Sequence, residues 1–544
     1  SKEIPENLLA RCITLTSEPP SGLQVNLHRA FTSVGQRAFN DMDVRSRSIY
    51  FGLCLYHSLM LERRKFGPMG FNRSYPFGEQ DLAATTTVLK QQMEAASSIP
   101  WANLHYLVGE ILYGGHITDA WDRRCSNTYL SHFLHDGLLG DMELFPYVPV
   151  ETQAAGAPRD TLRMPSNNTW GAYLEAIDHN EALAADTPRA FGMHPNADVA
   201  YFSQVTTGLL TCLQDVLPPM VAAGSGAAAA EGVSGGAEAK VRSVESTVSD
   251  LLVEFSDMLL PVEEVRQALA GEEEGGMGGP SSPRSPRAGE AEGTTVSPFA
   301  TVFLQECTSC NTLVSALLRS LQELSAGLRG ELTIGDSLEA MLDNLFLGRV
   351  PTQWSSVAYP SNNGLAAWLA DLQQRHAQLS AWCDMPAALP SVTWLAGLFH
   401  PQSFLTAVLQ THAQAASMAL DSIAINTDVT DFPSAEAVPA PPAEGAYVSG
   451  IFLENARWGA HNNCLAEPVP KALFCVLPVL QVTAVAAGKQ EGGPGNVRAA
   501  IPVYRTQTRG PTYVFTAHLR TSQHDPEKWI LAGVAGVLEA VSLR

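Results

Sequence analysis

The sequence YGGHITDAWDRR, residues 113–124, places two glycines, a histidine, two acids, a tryptophan and two arginines between two helix-like segments. Such a stretch could form a phosphate loop, a metal or acid/base site, or a structural elbow. In an elbow, the Gly114-Gly115 pair would end the first helix, and Asp119 or the threonine before it would cap the second. Asp122 would then lie in the first turn, where a negative charge suits the helix dipole.

An enzymatic interpretation of this stretch lacks the partners that it needs. A P-loop requires a lysine beside its glycines, in the pattern G-x-x-x-x-G-K-[ST], to meet the phosphate charge. The only Gly-Lys pair in the sequence is followed by glutamine. Nothing in the spacing joins His116 and Asp119 to a nucleophile. We therefore prefer the elbow, and we expect Arg123 and Arg124 to pair with nearby acids or to contact another domain.

The cysteines do not form a metal-binding pattern. Cys307 and Cys310 make the only C-x-x-C pair, whereas a structural zinc site needs four ligands, usually from two such pairs. Two small residues on one helix face is the better interpretation. Nine cysteines are spread along the sequence, several of them in apolar runs. This odd, scattered set predicts reduced and buried thiols, as in a cytosolic protein.

Composition limits the class of protein further. The sequence has 544 residues, which predicts two to four folded units. Its 34 basic and 55 acidic residues give a net charge of −21, so nucleic acid and anionic membrane surfaces are not expected partners. We find no apolar run of 18 residues or more, and therefore expect no transmembrane helix. The first residues also lack the apolar region of a secretory signal.

Helical patterns fill most of the sequence before residue 420. From about Arg45 a run that is apolar nearly all round predicts a buried helix, which turns basic after Glu62. A leucine stripe from Leu317 to Leu328 predicts one face of a second long helix. In GDSLEAMLDNLFLG, Asp336 and Glu339 resemble a capping box.

Composition changes mark the boundaries between domains. We place one boundary near 150 and a second at 431–445, beyond which the apolar period shifts from 3.6 to 2. Residues 445–544 therefore predict a small β-rich barrel or sandwich, with a short helix near the end. Two low-complexity inserts, 222–238 and 271–293, are predicted to be loops or disordered, since neither can bury enough apolar surface to offset its ordering entropy.

Several stretches, in order along the sequence, resemble dynein heavy chains. Three of them resemble the end of the sixth AAA+ module: EPPSGLQVNL (18–27), ERRKFGPMGFNRSYPFGEQDL (62–82) and YGGHITDAWDRRCSNTYL (113–130). Five others resemble the dynein C-terminal domain: TPRAFGMHPNAD (187–198), LGRVPTQWSSVAYPS (347–361), WLAGLFHPQSFLTAVLQ (394–410), YVSGIFLENARW (447–458) and PVYRT (502–506). The sequence of residues 114–124 is most similar to that of axonemal outer-arm heavy chains of the β type. Asn455 departs from the glycine common in the family.

The resemblance implies an α+β multidomain fold. Residues 1–30 would be the truncated end of an AAA+ large subdomain, and 31–150 its helical lid. Residues 151–430 would be the helical part of the dynein C-terminal domain, including both inserts, and 445–544 a small C-terminal β-barrel. These implied bounds agree with the boundaries placed from composition and period.

The resemblance also implies that this segment has a non-catalytic function. The segment would close and cap the AAA+ ring of a microtubule motor in cilia or flagella, next to neighbouring AAA+ modules of the same heavy chain and to other dynein subunits. ATP with magnesium, and the microtubule, would bind upstream parts, so no cofactor, metal or catalytic residue is expected here. The alternative is a stand-alone adaptor that kept the fold without motor activity.

Twelve residues of the signature stretches are candidates for structural or interdomain roles. They are Gly114, Gly115, Asp119, Trp121, Asp122, Arg123, Arg124, His194, Pro195, Asn196, Arg457 and Trp458.

Overall fold

The computed structural model describes residues 11–13, 20–140, 142–145, 162–184, 186–216, 235–275, 297–386, 388–487, 497–521 and 526–539. Contacts between Cα atoms divide the protein into two compact units. The first unit comprises residues 1–195 with 530–532, and the second comprises 196–529 with 533–544. Because these units follow spatial contacts rather than family domains, the boundaries predicted near 150 and at 431–445 stay predictions.

In its described residues the first unit is built mainly from helices. They are α1 (Leu23–Thr32), α2 (Gln36–Asn40), α3 (Val44–Arg63), α4 (Glu79–Ala95), α5 (Trp101–Tyr106), α6 (Ala120–Phe133), α7 (Trp170–Asp178) and α8 (Glu181–Ala184). A 3-10 turn follows α3, and a π-helical turn over Leu107–Leu112 follows α5.

Helix α3 is the centre of this unit and confirms the buried helix predicted from the sequence. Every side chain from Ser48 to Met60 is buried, because a helix that is apolar all round must be covered on every face. Its start is fixed by Asp43, whose carboxylate accepts a hydrogen bond from the Ser46 amide at 3.1 Å. Helices α1, α4 and α6 pack around it.

The second unit begins with helices. They are α9 (Asn196–Val216), α10 (Gly235–Phe255), α11 (Val262–Gly275), α12 (Pro298–Leu328), α13 (Asp336–Phe346), α14 (Thr352–Ser355), α15 (Leu365–Cys383) and α16 (Pro401–Ala416). Helix α12 lies against α10, α15 and α16. The predicted leucine stripe faces this core: Leu317, Leu321 and Leu324 are fully buried, and Leu328 is half-buried. In the described part of the protein no helix combines the length and the apolar character needed to cross a membrane.

Eleven described strands form three sheets. They are β1 (Thr393–Trp394), β2 (Ile423–Val429), β3 (Ala446–Ser449), β4 (Phe452–Glu454), β5 (Arg457–Gly459), β6 (Cys464–Ala466), β7 (Phe474–Val476), β8 (Leu480–Ala486), β9 (Arg498–Tyr504), β10 (Tyr513–Arg520) and β11 (Ala535–Val537). The strand orders are β1-β3-β8-β2, β10-β9-β11-β4-β7 and β5-β6. Pairing is antiparallel except for β1 with β3 and β11 with β9.

The two larger sheets are connected along the backbone and by side chains. A two-residue turn carries β3 into β4, and its Gly450 has φ +84°, with no space for a Cβ because Trp394 Cδ1 would lie 2.3 Å away. On the other side, the His518 amide donates to Thr427 Oγ1 at 2.8 Å, which joins β10 to β2. Since the described ladders form open sheets, the closed barrel stays a prediction. The sheets also begin with β1, earlier than the predicted β-rich segment 445–544.

Three local predictions need correction. Asp336 does not cap α13: Gly335 occupies the cap position and no side-chain cap bond is present. The predicted short helix near the end is present as α17 (Glu527–Leu531), but residues 535–537 of the same segment form strand β11 rather than helix. The two inserts lie mostly outside the described residues, but 235–238 and 271–275 belong to helices α10 and α11 rather than to loops.

Candidate functional site: a polar cluster in the helical lid

The structure confirms the elbow at residues 113–124. The π-helical turn ends at the Gly114-Gly115 pair, where a Cβ on Gly114 would lie 2.0 Å from the Gly109 carbonyl oxygen. Only glycine fits such a close backbone approach. Asp119 caps α6, and its Oδ1 accepts hydrogen bonds from the amides of Trp121 at 2.9 Å and Asp122 at 3.2 Å.

Asp122 lies at the centre of a buried polar cluster. The residue is only 4% exposed, and its carboxylate accepts hydrogen bonds from the amides of Asn72 at 2.8 Å and Arg73 at 3.2 Å. The Tyr75 hydroxyl donates a third bond at 2.7 Å. Burial raises the pKa of Asp122 to about 6, although these three donors oppose the shift. The cluster attaches the segment after α3 to the start of α6.

A buried arginine connects a third stretch. Arg63, which is 1% exposed, donates from Nε to the Gly70 carbonyl at 2.9 Å and from Nη1 to the Phe191 carbonyl at 3.0 Å. It also donates to the Tyr129 hydroxyl, which in turn donates to Phe191. Residues 62–82, 113–130 and 187–198 are therefore joined by buried hydrogen bonds.

The two arginines of the elbow have partners within the same unit. Arg123 forms an ion pair with Glu110 at 3.1 Å, and its other terminal nitrogen donates to the Ile117 carbonyl at 2.8 Å. The Arg124 guanidinium lies over the Trp121 ring, 5.5 Å from its centroid. The predicted pairing with a nearby acid is thus confirmed for Arg123, while an interdomain contact stays a prediction.

The remaining signature residues lie elsewhere. His194 is half-buried and Pro195 exposed. Asn196 is buried at the start of α9, where its amide donates to the Val469 and Ala472 carbonyls at 2.9 and 2.8 Å and its oxygen accepts from the Lys471 amide at 2.8 Å. It therefore fixes the loop that precedes β7.

Arg457 and Trp458 belong to the two-stranded sheet. Arg457 donates from Nε to the Glu467 carbonyl at 2.9 Å, and Trp458 pairs with Leu465. The twelve candidates accordingly do not form a single site, and their functional roles stay predictions.

The described residues offer no arrangement suited to a metal. No group of three or more histidines, cysteines or acids among them could hold an ion. His116 contacts Asp81, with Nε2 3.1 Å from Oδ1. Cys307 and Cys310 are buried on α12, as the interpretation of two small helix-face residues predicted.

A second buried acid, Glu306 on α12, is not among the residues predicted from the sequence. Its carboxylate accepts hydrogen bonds from the amides of Phe399 and His400, so it fixes the residues immediately before α16 from a different helix. Burial raises the pKa of Glu306 to about 7, against the lowering effect of those bonds and of Arg505 and Arg375. Glu306 could have been recognised from the sequence as an acid within the apolar stripe of a helix, between Phe303 and Cys310.

Comparison with known protein families shows the family to which this protein belongs. Residues 207–538 match the C-terminal domain of dynein heavy chains, and residues 46–197 match the AAA lid domain of dynein heavy chains. The protein belongs to the dynein heavy chain family, as the resemblance predicted.

Three of the similar proteins carry axonemal, ciliary and flagellar names. The sequence is 36% identical over 541 residues to dynein axonemal heavy chain 9 of Homo sapiens, and 37% identical over 544 residues to the ciliary dynein beta chain of Heliocidaris crassispina. It is 36% identical over 550 residues to the flagellar outer arm dynein beta chain of Chlamydomonas reinhardtii. These alignments cover 98%, 98% and 99% of the present sequence, but only 11% of each relative.

Proposed function

We propose that this protein is the non-catalytic C-terminal part of an axonemal dynein heavy chain, which closes and caps the AAA+ ring. It helps to couple ATP-driven conformational change to minus-end-directed movement along microtubules in cilia or flagella. The axonemal, ciliary and flagellar names of the relatives support this localisation. ATP hydrolysis and microtubule binding belong to other parts of the heavy chain, and this segment holds no cofactor.

The observation that carries the coupling role is the set of buried bonds made by Arg63 and Asp122. These two residues fasten stretches from Gly70 to Phe191 into one helical unit. A buried polar network resists local deformation, since breaking it leaves unpaired donors and acceptors away from water. Such a unit moves as a body, which suits an element that passes displacement between neighbouring AAA+ modules.

The partners follow from the same role. Neighbouring AAA+ modules of the same heavy chain are the primary partners, and other dynein subunits are further ones. We also propose that the strands of the second unit make up the small β-barrel, supported by the passage of β3 into β4 and by the Thr427–His518 hydrogen bond. Nucleic acid and membranes remain unexpected partners for a protein of net charge −21.

The coupling role is tested in the full heavy chain that contains this segment. Asp122→Ala should leave basal ATP hydrolysis within about twofold, while microtubule gliding velocity changes by more than that. The matched control is Glu94→Ala, which removes an exposed acid of the same helical unit. Equal gliding for both variants and the unaltered heavy chain, with Asp122→Ala still folded, would contradict the coupling role.

The absence of catalysis is tested on the 544-residue polypeptide alone. We expect no ATP turnover above buffer. ATPase activity that disappears in His116→Ala or Asp119→Ala would overturn the non-catalytic assignment.

The adaptor alternative differs in the size of the polypeptide. Because the sequence spans 11% of its relatives, a heavy chain would be about nine times longer than this segment. An antibody against residues 336–346, used on isolated axonemes, distinguishes the two. A band at the size of this segment alone would favour the adaptor.

A further inference from the structure

Two cysteines from different helices of the second unit are in contact. The Sγ atoms of Cys307 on α12 and Cys383 at the last position of α15 lie 3.8 Å apart, although the residues are separated by 76 positions. Cys307 is 1% exposed, whereas Cys383 is partly accessible to solvent. The pair therefore consists of one protected thiol and one thiol that a small reagent can reach.

Aromatic packing holds the two helices together beside this pair. Phe303, one turn before Cys307, stacks on Trp382, the residue before Cys383, with ring centroids 4.9 Å apart and planes 15° from parallel. Both rings are buried. The approach of the two sulfur atoms is thus fixed by the core rather than by mobile surface side chains.

The environment assigns different roles to the two thiols. The hydrogen bond between the two thiols lowers the pKa of Cys383, despite the opposing effects of burial and of Asp384. The same bond, together with burial, raises the pKa of Cys307. Since the thiolate is the nucleophile in disulfide exchange, Cys383 is the sulfur that reacts first and Cys307 the one that resolves.

We propose that Cys307 and Cys383 form a reversible regulatory disulfide by exchange with a small oxidised disulfide such as oxidised glutathione. The Cys383 thiolate attacks one sulfur of the reagent, whose S–S bond breaks and releases one glutathione thiolate, which takes up the proton lost from Cys383. Cys307 then loses its proton and attacks Cys383 Sγ, which releases the second glutathione as a thiol. The net change converts two protein thiols and one oxidised glutathione into one protein disulfide and two reduced glutathiones.

The disulfide would join α12 covalently to the end of α15. Cytosolic disulfides are usually transient and redox-sensing, which matches a pair that is free in the reduced structure and accessible on one side. The inference does not depend on the proposed motor function. Cys310, one turn along α12 and also buried, provides a matched control because it shares the helix and the environment of Cys307.

The test equilibrates the folded 544-residue protein with oxidised glutathione, blocks the remaining thiols and maps bridged peptides by mass spectrometry without reduction. We expect a Cys307–Cys383 bridge in the unaltered protein and in Cys310→Ser. The bridge should be absent from Cys307→Ser and Cys383→Ser, and it should disappear on adding dithiothreitol. Failure of the unaltered, folded protein to form it, or a predominant Cys310–Cys383 bridge, would overturn the proposal.

A second measurement uses thermal stability. Closing a loop of this length should raise the melting temperature of the oxidised protein by roughly 5–10 °C over the reduced protein. The same rise is expected in Cys310→Ser. An unchanged melting temperature in a fully bridged sample would contradict the proposal that the disulfide restrains α12 and α15.

Discussion

The elbow of the lid can be tested by adding a single methyl group. In Gly114→Ala the new Cβ would lie 2.0 Å from the Gly109 carbonyl oxygen, 2.7 Å from Glu110 Cα and 2.8 Å from the Gly109 carbonyl carbon. All three atoms are backbone, so no side chain can rotate away, and the π-helical turn itself must shift by roughly 1 Å or more to restore van der Waals contact. We expect a loss of roughly 3 kcal/mol in the free energy of unfolding.

The control is an identical change at an exposed helix position of the same unit. Gly171 lies within α7, and a Cβ there would have no heavy atom within 4 Å. Gly171→Ala should therefore be neutral or stabilise the unit by up to about 1 kcal/mol, because alanine favours helix. The melting temperature of the helical unit should fall by roughly 6–12 °C in Gly114→Ala.

The assay is thermal denaturation followed by hydrogen exchange of the peptides that cover residues 107–125. Exchange should accelerate there in Gly114→Ala, since the shifted turn also disturbs the bond from Arg123 to the Gly114 carbonyl. A loss below about 1 kcal/mol, or a loss equal to that of Gly171→Ala, would refute the close backbone approach.

Three further predictions follow from buried polar groups and backbone conformation. In a double-mutant cycle, Asp122→Ala and Tyr75→Phe should show a coupling of about 1 kcal/mol in denaturant unfolding, because both remove the same 2.7 Å hydrogen bond; additive losses would contradict it. Asn455 has φ +61°, so Asn455→Ala should destabilise by about 1 kcal/mol while Asn455→Gly stays near neutral, and equal losses would argue against the left-handed backbone. The pKa of Glu306 is raised from its usual 4.5 to about 7, so the stability it contributes is present below pH 4.5 and is lost as pH rises through 7. Unfolding measured across this window should show the unaltered protein losing roughly 3 kcal/mol relative to Glu306→Gln, and parallel profiles would refute the shift.

Local patterns in the sequence predicted elements whose burial is simple. The nearly all-apolar run after Arg45 became the buried α3. The apolar period of two predicted beyond residue 445 is found in β10, whose Phe515, Ala517 and Leu519 are buried. Tyr513 departs from the pattern because the register shifts between it and Phe515. Both elements were predicted from apolar patterns among residues that are neighbours in sequence.

The features that could not be predicted depend on residues that are distant in the sequence. Residues 535–537 are apolar without a clear period, and they become a strand only because β9 and β4 lie on either side. Asp119 could be predicted as a helix cap because the helix that it caps follows it directly in the sequence. The partners of Asp122, at residues 72–75, and those of Arg63, at 129 and 191, lie far along the sequence. No spacing rule in a single sequence connects them.

The position of β11 has a consequence for synthesis. Its residues pair with β9 on one side and β4 on the other, so β4 must wait about eighty residues of translation for its neighbour. Until Val537 leaves the ribosome, both strands present unpaired backbone edges, which recruit other polypeptides. A nonsense or frameshift allele that removes only the residues from 535 onward would thus leave nearly all of the second unit translated, yet it should yield an aggregating product that chaperones retain before any assembly step.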